Sequence, residues 1–88
     1  MKGEYRYIFQ PRFLRTLKKL HKDIQQEALE SIENFKDEKN HKSLKLHKLH
    51  GTFENLYAFS VNYKYRIIIE FVDDKVLFLD IGNHDIYK

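Results

Sequence analysis

Eighty-eight residues without a cysteine fit one domain, residues 1–88, and exclude a disulfide scaffold or a thiolate metal site. Seven Phe and six Tyr supply much of the apolar area that so short a chain needs for a core. The formal charge is +3, no apolar run approaches a membrane span, and Met1 to Gln10 lacks a signal peptide's unbroken apolar stretch, so a soluble cytoplasmic protein is expected.

Glu4 to Phe9 sets Tyr5, Tyr7 and Phe9 against Arg6 and Ile8, the alternation of a strand. Pro11 then opens a helix with Phe13, Leu14, Leu17 and Leu20 at helical spacing. A second helix starts near Asp23, an N-cap or first-turn acid, and its apolar stripe is Ile24, Ala28, Ile32 and Phe35 with Leu29 beside it. Asp37 to Asn40 ends it in a polar turn, and Gly51 to Asn55 reads as a loop or turn. Three strands follow: Leu56 to Asn62, Tyr65 to Phe71 and Lys75 to Ile81, with Asp73-Asp74 as a hairpin turn that lacks the usual glycine. The order β-α-α-β-β-β predicts an α+β domain: an antiparallel four-stranded sheet with two N-terminal helices packed on one face. The other sheet face is left to carry function.

Charge is unevenly spread. His41 to His50 holds three Lys, three His and no acid, and Arg12 to Lys22 adds five more cations without an acid. A basic face on a nearly balanced chain suits a polyanionic partner, nucleic acid or an acidic protein segment, although a solvated charged face is the better account of the helix lysines and an equally good one of His41 to His50.

Three segments carry side chains suited to RNA cleavage. That reaction needs a base for the 2′-OH, cations for the phosphorane and an acid for the leaving 5′ oxygen. Between Leu44 and Gly51, an extended chain sends Lys45, His47 and Leu49 one way and Lys48 and His50 the other. A helical turn would instead put His47 and His50 on one face. Nearby ammonium groups favour a neutral imidazole there. Arg66 sits in a strand of aromatics and isoleucines and shares period-two polar positions with Asn62 and Lys64. It can clamp a phosphate or pair with Asp80 on the next strand. At the C-terminus, Gly82-Asn83 turns off the last strand, His84-Asp85 juxtaposes imidazole and carboxylate, and Tyr87 can stack on a base, unless the segment is only a polar tail. His47 and His50 with His84 or Asp85 would make a weak zinc set that nothing else completes, so no metal or cofactor is expected.

These segments carry a resemblance over essentially the whole chain. The Lys45 to Gly51 pattern Lys-x-His-Lys-Leu-x-Gly, the strand pair Tyr57 to Ile68 and the Ile81 to Tyr87 run Ile-Gly-Asn-His-Asp-Ile-Tyr resemble the RelE/ParE toxin superfamily. The chain looks closest to the YafQ-like and RelE/StbE-like mRNA interferases. The resemblance implies a RelE-like fold and a type II toxin that cuts mRNA in the ribosomal A site without metal. It also implies a cognate antitoxin, the toxin being monomeric when free and hetero-oligomeric when bound. By that resemblance His84 is a catalytic histidine, His47 and His50 supply further catalytic groups, and Arg66 binds the scissile phosphate. Lys45, Lys48, Asp85 and Tyr87 bind substrate. Which of His47 and His50 acts, and which group is acid or base, stays open. The ParE branch shares the fold but inhibits DNA gyrase; the His47, His50 and His84 set speaks against it. A catalytically inert module that binds RNA or an acidic partner is the other alternative.

Overall fold

The computed structural model describes residues 4–49 and 55–83. Strand β1 (Arg6–Phe9) leads into helices α1 (Pro11–Lys19) and α2 (Lys22–Phe35), then a single 3₁₀ turn at Glu38–Asn40. Four more strands follow: β2 (His47–Lys48), β3 (Leu56–Ser60), β4 (Tyr65–Val72) and β5 (Lys75–Asn83). The α+β class and the two N-terminal helices are as the sequence predicts. The sheet differs in two respects: it has five strands in the order β1-β5-β4-β3-β2, and β1 runs parallel to β5. The extra strand is a two-residue edge, His47–Lys48 against Ala58 and Tyr57, too short to leave any alternation in the sequence. The parallel pair arises because the helices carry the chain away after β1, and the β3-β4-β5 meander returns it beside β1 in the same direction.

Pro11 occupies the first turn of α1, where its missing N–H costs nothing, and the backbone N–H of Gln10 ahead of it donates to the Phe78 carbonyl. Phe13 and Leu17, one turn apart, are the buried residues of this helix. Leu14 is 42% exposed, contrary to the four-residue stripe read from the sequence, because its position lies off the Phe13–Leu17 face. The side chain of Gln25 donates to the carbonyls of Lys18 and Leu20 and so closes the C-terminal end of α1. At the start of α2 the cap is His21, whose Nδ1 accepts from the Asp23 N–H; Asp23 is the first-turn acid rather than the cap. Ala28, Ile32 and Phe35 are buried along α2, whereas Leu29 is half exposed.

The core lies between the helices and one sheet face, with Phe13, Phe59, Phe78, Ile67 and Ile69 fully buried. Ile67 pairs with Ile81 and Ile69 with Phe78, so the register slips between Ile68 and Ile69. On β5 the inward residues Phe78 and Ile81 are three apart, and strict alternation would turn one of them outward. The extra residue of this bulge keeps both on the core face. Asp73 takes φ 56 at the β4–β5 turn, where the two-residue Asp73-Asp74 loop does without glycine because a short polar side chain tolerates the left-handed region. Among the described residues no helix is long and apolar enough to cross a membrane.

Tyr7 on β1 has its phenol pKa pushed above the usual 10.0, chiefly by burial, with Tyr5 and Glu33 adding to the rise and Lys36 opposing it. A raised folded-state value means that the neutral phenol contributes stability below about pH 10, which is lost as pH climbs through the folded-state value. Alkaline denaturation midpoints should therefore move upward in Tyr7→Phe. The difference absorbance titration between wild type and this variant should place the missing phenol above pH 10. A midpoint at or below 10 contradicts the assignment.

Candidate functional site

The sheet face turned away from the helices carries Arg66, Ile68 and Glu70 of β4 between Ala58 and Ser60 of β3 and Gly82 of β5. His47 pairs with Ala58 and therefore belongs to the same face, whereas Lys48 pairs with Tyr57, a residue packed on the core side. The pairing separates the His47 and Arg66 Cα atoms by two strand spacings and two residues of rise, roughly 12 Å.

His47–Lys48 is a strand, which decides for these two residues between the conformations left open by the sequence. Leu49 N–H donates to the Leu56 carbonyl and Ser60 N–H to the Leu44 carbonyl, continuing the edge on both sides of β2. Lys45 is exposed and takes φ 59, a left-handed turn that interrupts the alternation just before His47. Its carbonyl lies 2.9 Å from His47 Nδ1. A carbonyl only accepts, so the neutral ring carries its proton on Nδ1 and its lone pair on Nε2. That is the tautomer needed by a general base acting through Nε2.

Arg66 is half buried, and its Nη1 donates to the carbonyls of Asn62 at 2.6 Å and Tyr65 at 3.0 Å. The alternative ion pair with Asp80 does not form. Asp80 stands opposite Ile68 rather than Arg66, and its carboxylate meets Arg12 of α1 at 3.4 Å. Asn62 and Lys64 do not form a strand face with Arg66 either. Asn62 Oδ1 accepts the N–H groups of Lys64 and Tyr65, both at 2.8 Å, and so builds the β3–β4 turn.

His41, counted in the basic segment, is structural. Its Nε2 lies 2.8 Å from the Phe35 carbonyl, an otherwise orphan acceptor at the end of α2, and its ring stacks on Phe35 at 4.6 Å. A cavity of about 540 Å³ on the helix-bearing side is lined by Tyr5, Tyr7, Phe35, Tyr57 and Phe71 among others, and neither His47 nor Arg66 reaches it. Among the described residues no three His, Asp or Glu side chains cluster at metal-ligand spacing. His50, His84, Asp85 and Tyr87 lie outside the described residues. The residue missed by sequence reasoning is Asn62. Its signal was present, since Asn is a turn former, but it was hidden by aromatic and β-branched neighbours that read as strand.

This architecture defines a RelE-like toxin fold. It is similar to a chain of the archaeal RelE–RelB complex from Pyrococcus horikoshii OT3, with TM-score 0.70, 22% identity, and coverage of 92% of this chain and 96% of that one. It is similar to a chain of the E. coli DinJ–YafQ toxin–antitoxin complex, with TM-score 0.77, 14% identity, and coverage of 94% and 96%. The Staphylococcus aureus YoeB–YefM complex gives TM-score 0.70, 15% identity, and coverage of 93% and 99%. No curated protein matches the sequence. The sequence model for the ParE toxin of the type II toxin–antitoxin system parDE matches residues 7–86, and the chain belongs to that toxin family, within the RelE/ParE superfamily.

Proposed function

We propose that this toxin is a metal-independent endoribonuclease that cleaves mRNA in the ribosomal A site. The observation that carries the reading is the placement of His47 and Arg66 on one sheet face, the one turned away from the helices, with the His47 tautomer suited to a base. His47 Nε2, or His50, takes the proton of a 2′-OH; the 2′ oxygen attacks phosphorus, and the 5′ oxygen leaves with a proton from His84. Arg66 stabilises the phosphorane charge, supported by Lys45 and by Lys48, whose long stem sits at the sheet edge. Asp85 and Tyr87 bind the substrate, Tyr87 by stacking. The protein acts in the cytoplasm. A cognate antitoxin holds it inactive, as the partnered state of the RelE–RelB, DinJ–YafQ and YoeB–YefM structures suggests.

Expression in bacteria, with and without the antitoxin, tests this. Wild type should arrest growth and cut ribosome-bound mRNA, and His84→Ala should reduce cleavage about 10²-fold, the lower range for loss of one acid–base group. Absence of cleavage by the wild type sinks the enzyme, and unchanged arrest in His84→Ala removes that residue from the mechanism. The family's ParE description favours a second reading, inhibition of DNA gyrase. A supercoiling assay with purified toxin separates the two: inhibition there without mRNA cleavage selects gyrase.

A further inference from the structure

Arg66 is held in a way that leaves one edge of its guanidinium open. Its Nη1 is turned onto the carbonyls of Asn62 and Tyr65, while Nε and Nη2 have no partner among the described residues. Those two nitrogens form the side-on fork that grips a phosphate bidentately. The orientation of that fork is therefore fixed by where the Asn62 and Tyr65 carbonyls stand.

Asn62 is itself fixed from three directions. Its Oδ1 holds the Lys64 and Tyr65 N–H groups, its Nδ2 donates to Glu27 Oε1 of α2 at 2.5 Å, and its backbone N–H reaches the Tyr65 carbonyl at 3.5 Å. One turn further along α2, Ser31 donates to the Val61 carbonyl at 3.4 Å. Helix α2 thus grips the segment Val61–Asn62 at two successive turns and sets its height over the sheet. We propose that Asn62, tethered by Glu27, is a positioning residue that aims the Nε–Nη2 edge of Arg66 at the substrate phosphate. This rests on the ribonuclease reading for the phosphate, but the chain from Glu27 through Asn62 to Arg66 is testable without it.

The experiment uses the purified full chain and two readouts. One is kcat and KM for cleavage of ribosome-bound mRNA. The other is the NMR signal and solvent exchange of the Arg66 side-chain N–H groups. Asn62→Ala should lower kcat about tenfold while KM moves less than twofold, since a displaced fork loses transition-state contact before it loses binding. Exchange of the Arg66 N–H groups should rise about fivefold, the factor for one ordinary hydrogen bond. Asn62→Asp keeps the turn acceptor but sets two carboxylates together, so it should show the same kcat loss. Adding Glu27→Gln supplies an amide donor back to that carboxylate and should restore kcat to within twofold of wild type. A folded Asn62→Ala with wild-type kcat and unchanged Arg66 signals overturns the proposal, as does an Asn62→Asp loss that Glu27→Gln fails to repair. If Asn62→Ala does not fold, the Asn62→Asp and double variants decide. If the wild type cleaves no mRNA, the ribonuclease reading falls, and the Arg66 N–H signals alone decide whether Asn62 positions this side chain.

Discussion

Phe78→Ala is expected to leave the toxin close to its unfolding midpoint at 37 °C. Phe78 is fully buried in the middle of β5, the strand that pairs with both β1 and β4. Its ring stacks on Phe9 at 4.6 Å and meets Phe13 at 5.8 Å and Phe35 edge-on at 6.2 Å. Truncation removes the ring's buried area and opens a cavity bordered by both helices and β1, at a cost of about 3–5 kcal/mol. An 88-residue chain has a total stability on the order of 4–13 kcal/mol. The melting temperature should fall by about 15–25 °C, using the scaling for small domains. Phe9 offers the internal comparison. It shares the stacked pair but is 36% exposed, so Phe9→Ala should cost less than half as much. Urea denaturation of both variants measures this, and a loss under about 2 kcal/mol for Phe78→Ala contradicts the central place given to that ring.

The parts of the fold legible in the sequence are those set by local pattern. Phe13 and Leu17 behind Pro11, the α2 stripe Ala28, Ile32 and Phe35, and the starts of the three C-terminal strands appear where spacing puts them, but Gly82-Asn83, read as a turn off the last strand, continues β5 and pairs with Arg66 and Tyr65. The parts that were not legible depend on neighbours far along the chain. Nothing local in Arg6–Phe9 says that its partner is Lys75–Phe78 and that the two run parallel. Two residues at His47–Lys48 carry too little alternation to announce a strand. The bulge that keeps both Phe78 and Ile81 inward is a consequence of pairing, and the sequence shows only an apolar run.

The site divides the same way. The residue types suited to RNA chemistry were visible, but their directions were not. The sequence left Arg66 between a phosphate and Asp80, and register excludes Asp80 by setting it two residues away and giving it to Arg12. It treated Asn62 as a strand residue, because the turn it builds relies on side-chain acceptance of two backbone N–H groups. It left the Lys45–His50 segment between an extended chain and a helical turn, and at His47–Lys48 the strand pairing takes the extended alternative: His47 joins the face turned away from the helices and Lys48 the opposite one.

Arg66→Ala should have the largest effect on activity, with kcat for cleavage of ribosome-bound mRNA reduced about 10³-fold, the upper range for loss of one preorganised charge-stabilising donor. Folding should be nearly intact. The Tyr65 carbonyl still accepts from the Val61 N–H at 2.9 Å, and the Asn62 carbonyl borders an exposed turn that water reaches. The stability cost is then that of ordinary hydrogen bonds to a half-buried side chain, about 1 kcal/mol. Arg66→Lys preserves the charge and separates the two functions of the guanidinium. Arginine satisfies the two carbonyls with Nη1 while keeping Nε and Nη2 for phosphate; a single ammonium must choose between them. Arg66→Lys should therefore recover no more than about tenfold of the lost rate, and raising ionic strength should weaken its substrate binding more than that of wild type, since its remaining contribution is a point charge. Retention of a third or more of wild-type kcat in Arg66→Ala would remove Arg66 from the chemistry. Full recovery in Arg66→Lys would show that charge alone suffices there and that the aimed fork has no part in the rate.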